Sequence, residues 1–182
     1  KKELTYTITR NQIPQFSLDA AYMVKDDIGY IKISRFASTT HQEFQEALDK
    51  LTDQGMQKLI LDLQANPGGY LDEAISLADE FLPAGKKIVF TKGLNPGYDQ
   101  DANATSKGNF EEGQVIVLIN ESSASASEIV AGALQDHDRA LVVGRRSFGK
   151  GLVQNPFMLS DGSEVRLTIS RYFTPSGRTI QK

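Results

Sequence analysis

The chain contains no cysteine, and histidine occurs only twice, at His41 and His137. The first absence excludes a thiolate nucleophile, a cysteine–zinc site and any disulfide. The second leaves little material for histidine catalysis or a histidine-bound metal. No apolar run approaches the roughly 18 residues of a membrane span. No signal peptide is visible and the first residue is not Met, as expected of a mature or excised piece. A basic excess is also missing: the net charge is −3 and the pI near 5.4, which argues against nucleic acid as a partner. What remains is ordinary for a globular protein, with 40% hydrophobic and 24% charged residues among 182. That length suits one domain over 1–182 with a sizeable core.

Residues 4–10 (LTYTITR) alternate as a strand does. Two further strands are expected within 20–36, around a Lys25–Asp26–Asp27 turn. Over 38–55 Phe44, Ala47, Leu48 and Leu51 recur at helical spacing, Thr40 with Glu43 forms a capping-box pattern, and Gly55 is a natural stop. The runs at 58–63, 87–90 and 114–120 read as strands buried on both faces. Helices are expected over 70–82 and 125–137, a strand over 140–145, and a hairpin formed by 152–159 and 164–173. Strand–helix alternation predicts an α/β fold with a mostly parallel sheet, helices on both its faces, and an added antiparallel hairpin. Residues 94–113, rich in Gly, Asn and Asp, read as one long loop of the kind that forms lids. The sequon Asn103-Ala104-Thr105 within it carries little weight.

Residues 144–151 read GRRSFGKG and follow an apolar strand, as a phosphate-binding P-loop does. Two parts of that motif are missing. Gly151 stands where a magnesium-binding Ser or Thr belongs, and the residues that follow include Pro156 and strand formers rather than a helix start. A nucleotide site is therefore not expected, and Lys150 needs another explanation.

Residues 120–130 (NESSASASEIV) run from a buried-type strand through small residues into a helix. In an α/β sheet such a strand end gathers ligands and catalytic groups. A serine there meets free backbone N–H groups and the positive end of the helix dipole, both suited to an oxyanion. Ser122, Ser123, Ser125 and Ser127 are all candidates. Ser125 with Glu128 is also a capping box, and on local sequence alone that structural reading stands ahead. A nucleophilic serine needs a base. His137 and Asp136 lie about 18 and 16 Å along the helix from Ser125 at 1.5 Å per residue, out of reach. A Ser–Lys dyad is the alternative, provided the lysine is neutral when it acts. Gly149 and Gly151 would let Lys150 lie close against packed backbone, and Gln154 could orient its amine.

The blocks GYIKISRFASTTHQEFQEAL, LILDLQANPGG, SSASASEIVAGALQDH, GRRSFGKGLVQ and RYFTPSGRTIQ resemble, in order and spacing, the carboxy-terminal processing (tail-specific) proteases. The resemblance covers essentially the whole chain. It implies a ClpP/crotonase-like α/β core and a serine peptidase acting on proteins with exposed, unstructured C-termini, without cofactor or metal. It implies Ser125 as nucleophile, Lys150 as general base and Gln154 as the group orienting the lysine. The oxyanion hole would combine Ala126 with Gly68 or Gly69 of the Asn-Pro-Gly-Gly turn. Asp136 matches an acidic residue of the family, taken here as structural, and Glu128 a helix cap. The resemblance further implies a preceding PDZ domain, absent here and joined through 1–19, and a bacterial cell-envelope location. Gln64 departs from the family's common Arg, and Ser122 from its common Gly. Two rivals stand beside this reading: a catalytically silent peptide-binding domain of the same fold, and acyl-CoA chemistry.

Overall fold

The computed structural model describes residues 4, 6–7, 16–105 and 108–182. The strand expected over 4–10 falls largely outside these, and Leu4, Tyr6 and Thr7 lie in no strand. The first sheet has the order β1-β2-β3-β6-β7. Its strands are β1 (Leu18–Lys25), β2 (Ile28–Ile33), β3 (Lys58–Asp62), β6 (Gln114–Ile119) and β7 (Leu141–Gly144). β1 pairs antiparallel with β2 across Asp26–Asp27, and the other neighbours are parallel.

Three helices connect these strands: α1 (Thr40–Asp53), α2 (Leu71–Asp79) and α3 (Ala126–Asp136). α1 buries Phe44, Ala47, Leu48 and Leu51, the stripe its spacing predicts. Its cap is corrected by one residue. Thr39 is the N-cap and its hydroxyl donates to Glu43 at 2.6 Å, while Thr40 is buried and donates to Ser17 Oγ at 2.6 Å. α2 ends three residues early because Phe81 and Leu82 turn inward to full burial.

The expectation of helices on both faces of the parallel sheet is also corrected. The helices pack in sequence against one another, and α1 and α3 touch the first sheet at β1, β2 and β7. On that face Ile31, Ile33, Leu59, Leu61, Val115 and Val117 are buried. The opposite face carries the register row Tyr30, Ile60, Ile116 and Leu141, of which Ile116 and Leu141 are exposed. Alternation in β2 and β6 marks a sheet covered on one side only.

β4 (Lys87–Gly93) does not join the parallel sheet. It lies in a second, antiparallel sheet of order β5-β4-β9-β8 with β5 (Gln100–Asn103), β8 (Leu152–Met158) and β9 (Glu164–Phe173). Its apolar run signalled burial, which says nothing of the pairing partner. β4 packs on α2 and α3, and α3 also touches β7, so α3 lies between the two sheets. Residues 94–113 are not one open loop: a 3-10 turn at Pro96–Tyr98 leads into β5, which pairs with β4. Pro156 is tolerated because β8 is an edge strand. Among the described residues no helix is long and apolar enough to cross a membrane.

Candidate active site

The parallel strands β3 and β6 end side by side, and their following loops make the site. After β6, Ser123 is fully buried and donates its hydroxyl to Leu63 O at 2.8 Å. Ser127, also fully buried, donates to Asn66 O at 3.1 Å. Both hydroxyls hold the loop after β3. Ser122 is exposed beside the turn. Ser125 differs from all three: it is half-buried and has φ 54° and ψ −112°, a backbone region that only glycine enters without strain. It stands directly before α3, at the end where backbone N–H groups and the helix dipole favour negative charge.

The Asn66–Gly69 turn lies against this serine. Asn66 is fully buried. Its amide donates to Ile33 O at 2.9 Å, its Oδ1 accepts the Gly68 N–H at 2.8 Å, and its carbonyl accepts the Ala124 N–H at 2.9 Å. Gly68 has φ +95°, and a Cβ there would come within 2.8 Å of Ser125 Cβ and 3.0 Å of Ala126 N. Only glycine permits that approach. The Gly68 N–H is therefore committed to Asn66. The amides of Gly69 and Ala126 have no hydrogen-bond partner among the described residues.

Glu128, in the first turn of α3, is almost fully buried. A capping box closes the helix start, with the Glu128 carboxylate accepting the Ser125 N–H at 2.8 Å; beside it the Glu128 N–H bonds the Ser125 carbonyl oxygen at 2.9 Å in a tight first turn. The same carboxylate accepts the N–H of Gly149 at 2.7 Å and of Lys150 at 2.9 Å. The turn carrying Lys150 is thereby bound to the helix carrying Ser125. Phe148 adds a bond from its N–H to Ser123 O at 3.0 Å. On its other side the turn packs on the chain's last residues. A Cβ on Gly149 would lie 2.5 Å from Lys182 Cβ, and one on Gly151 would lie 2.3 Å from Gln181 N. The two glycines flanking Lys150 thus serve close packing. No phosphate-binding turn forms, since a carboxylate occupies the two amides and β8 follows in place of a helix.

A family model described as peptidase family S41 matches residues 27–182. The chain belongs to peptidase family S41. It is 45% identical over 164 residues to the carboxy-terminal-processing protease of Bartonella bacilliformis, covering 88% of this chain and 38% of that protein. It is 40% identical over 183 residues to the carboxyl-terminal-processing protease of Synechocystis sp., covering 97% of this chain and 42% of that one. Its structure is similar to that of the photosystem II D1 C-terminal processing protease. The TM-score is 0.78 at 36% identity, over 85% of this chain and 39% of that chain. This S41 domain thus spans about two-fifths of the length of the curated relatives it matches.

Within this S41 domain the backbones of Ser125, Gly68, Ala126 and Lys150 converge. The side chains of the expected dyad do not yet meet. Lys150 is exposed, and among the described residues its Nζ makes no hydrogen bond to Ser125 or Gln154. Gln154 is exposed on β8, opposite Thr168. Both histidines are engaged elsewhere, His41 with Glu80 at 2.7 Å and His137 with Lys87 O at 2.7 Å. Asp136, at the far end of α3, binds the N–H and hydroxyl of Ser176 at 2.9 and 2.6 Å and pairs with Arg178. Burial pushes its carboxyl up, but hydrogen bonds from Ser176, Thr174 and Arg178 outweigh that and hold it at about 2. Among the described residues no cluster of three or more His, Asp or Glu is placed to hold a metal ion.

Sequence reasoning missed Asn66 and the second role of Glu128. Asn66 was legible only as part of a turn, and Glu128 only as a cap. The bonds that matter join residues 33 to 66 and 128 to 150, separations that local pattern does not reach.

Proposed function

We propose that this chain is the catalytic core of a serine endopeptidase that cleaves proteins at or near unstructured C-terminal tails through a Ser125–Lys150 dyad. One observation carries the reading. Ser125 sits at a strained φ on a helix N-terminus, with Gly68 against its Cβ and two unbonded amides nearby. The names of the relatives support a protease, and tail processing is carried over from them.

In the proposed reaction the neutral Lys150 amine takes the Ser125 hydroxyl proton as Oγ bonds the scissile carbonyl carbon. The resulting oxyanion is held by the Gly69 and Ala126 N–H groups; the Gly68 amide, also expected from the sequence, is already bonded to Asn66. The Lys150 ammonium gives its proton to the leaving nitrogen as the C–N bond breaks, and water then hydrolyses the acyl-enzyme. Rotation of the flexible Lys150 stem brings its amine to Ser125, and Gln154 orients it. The substrate is a protein or peptide with a free C-terminus, delivered in the full-length protein by a PDZ domain in the bacterial cell envelope.

The test is cleavage of an unstructured peptide with a free C-terminus by the full-length protein. Ser125→Ala and Lys150→Ala are each expected to lower kcat on the order of 10³-fold or more. Retained cleavage in either variant overturns the dyad. The unengaged Lys150 amine gives a binding-only reading some support, and an inert wild-type protein that still binds such tails would establish it. Acyl-CoA chemistry would leave both variants active.

A further inference from the structure

A helix cap needs only one of the bonds that Glu128 makes. Its Oε2 accepts the N–H of Ser125 at 2.8 Å and of Lys150 at 2.9 Å, so a single oxygen touches the backbones of both residues. Those two lengths place the two nitrogens no more than about 6 Å apart. Oε1 accepts the Gly149 N–H at 2.7 Å, which fixes the carboxylate plane and the pitch of the turn. The group is almost fully buried, and no cation pairs with it among the described residues. Its charge is met by three amides and by the N-terminus of its own helix, which makes all three bonds charge-assisted.

We propose that Glu128 is the positioning residue of the site: its carboxylate clamps the Lys150 turn to the Ser125 elbow and so sets where the lysine stem begins. This rests on the dyad reading above. Side-chain rotation can deliver the Lys150 amine to Ser125 only from an anchored starting point, and the clamp supplies it. Without the clamp, the Phe148 N–H bond to Ser123 O and the contacts of Gly149 and Gly151 with Lys182 and Gln181 remain to hold the turn. The clamp also ties the strained conformation of Ser125 to the position of the lysine turn, since both N–H groups bond the same carboxylate oxygen.

Glu128→Gln removes one arm of the clamp and keeps an acceptor for the cap. Glutamine serves a capping box as well as glutamate does, through its carbonyl oxygen. With that oxygen in the Oε2 place, which keeps the Ser125 and Lys150 bonds, its NH2 group faces the Gly149 N–H and that bond is lost; the reverse orientation loses two bonds and the cap with them. The experiment measures backbone hydrogen exchange at residues 145–151 together with kcat and KM in the full-length protein. In the wild type the Gly149 and Lys150 amides exchange slowly although their turn is largely exposed. In Glu128→Gln the Gly149 amide exchanges at least about 10-fold faster while α3 keeps its protection. Over the same change kcat falls about 10-fold or more with KM little altered, because a displaced base costs the chemical step.

Fast exchange at Gly149 and Lys150 in the wild type overturns the clamp without any variant. So does unchanged exchange in Glu128→Gln, and an unchanged kcat beside faster exchange overturns its positioning role. If the wild-type protein is inert towards peptides, the dyad reading fails, and the exchange measurement alone still decides whether the clamp exists.

Discussion

Gly68 and Ser125 lie so close that a Cβ on the glycine would sit 2.8 Å from the serine Cβ. Residues 57 positions apart in sequence are pressed together by the parallel pairing of β3 with β6, which ends both strands at one level. Gly68→Ala must therefore move the turn, the serine or both. It also places an alanine at φ +95° and brings its Cβ within 2.7 Å of Ala124 O. A displacement near 1 Å costs catalysis on the order of 10²-fold, and that is the expected fall in kcat. Gly162→Ala is the control. It has a similar φ of +85° but nothing within 4 Å, so it costs stability only and leaves kcat unchanged. Steady-state kinetics and thermal melts of the two variants check this.

Ser125 holds a conformation that an L side chain adopts at a cost of about 1–3 kcal/mol. Glycine relieves it, and glycine in place of serine at an N-cap loses only a few tenths of a kcal/mol. Set against the greater freedom glycine gives the unfolded chain, Ser125→Gly is expected to be more stable than the wild type by up to about 1 kcal/mol while losing all activity. Chemical denaturation decides it: a destabilised Ser125→Gly variant would show that the serine is an ordinary cap.

Asp136 links stability to pH. Its folded pKa of about 2 lies below the ordinary carboxylate value, so the stabilisation it contributes is present above about pH 4 and is lost as pH falls through 2. Asp136→Asn is expected to cost about 1–3 kcal/mol at neutral pH, the range for a broken buried polar contact, and to flatten the stability profile between pH 4 and 2. Because Asp136 holds Ser176 and Arg178, the segment leading to Gln181 and Lys182 loosens with it. Some loss of activity therefore accompanies the loss of stability, and urea titrations across that pH range beside assays at pH 7 separate the two.

Most elements and the residue types of the site were legible in the sequence, whereas β5, within the expected loop over 94–113, was not. Helical spacing over Phe44–Leu51 depends on contacts within one helix, so it was readable from a short window. The Ser-Ala-Ser-Glu and Phe-Gly-Lys-Gly blocks were legible for the same reason, as was the Asn-Pro-Gly-Gly turn. Position Thr40 misled because Thr39 offers the same chemistry one residue earlier. Tertiary structure decided the rest. β4 reads like β3 and β6, yet it pairs with β5 and β9, because an apolar run records burial and not its neighbours. Which glycine amide stays free at Ser125 depends on the Asn66 side chain, which spends the Gly68 N–H. The approach of the Ser125 and Lys150 backbones rests on one Glu128 carboxylate reaching across 22 residues of sequence, a bond that exists only once α3 and the turn before β8 are folded together.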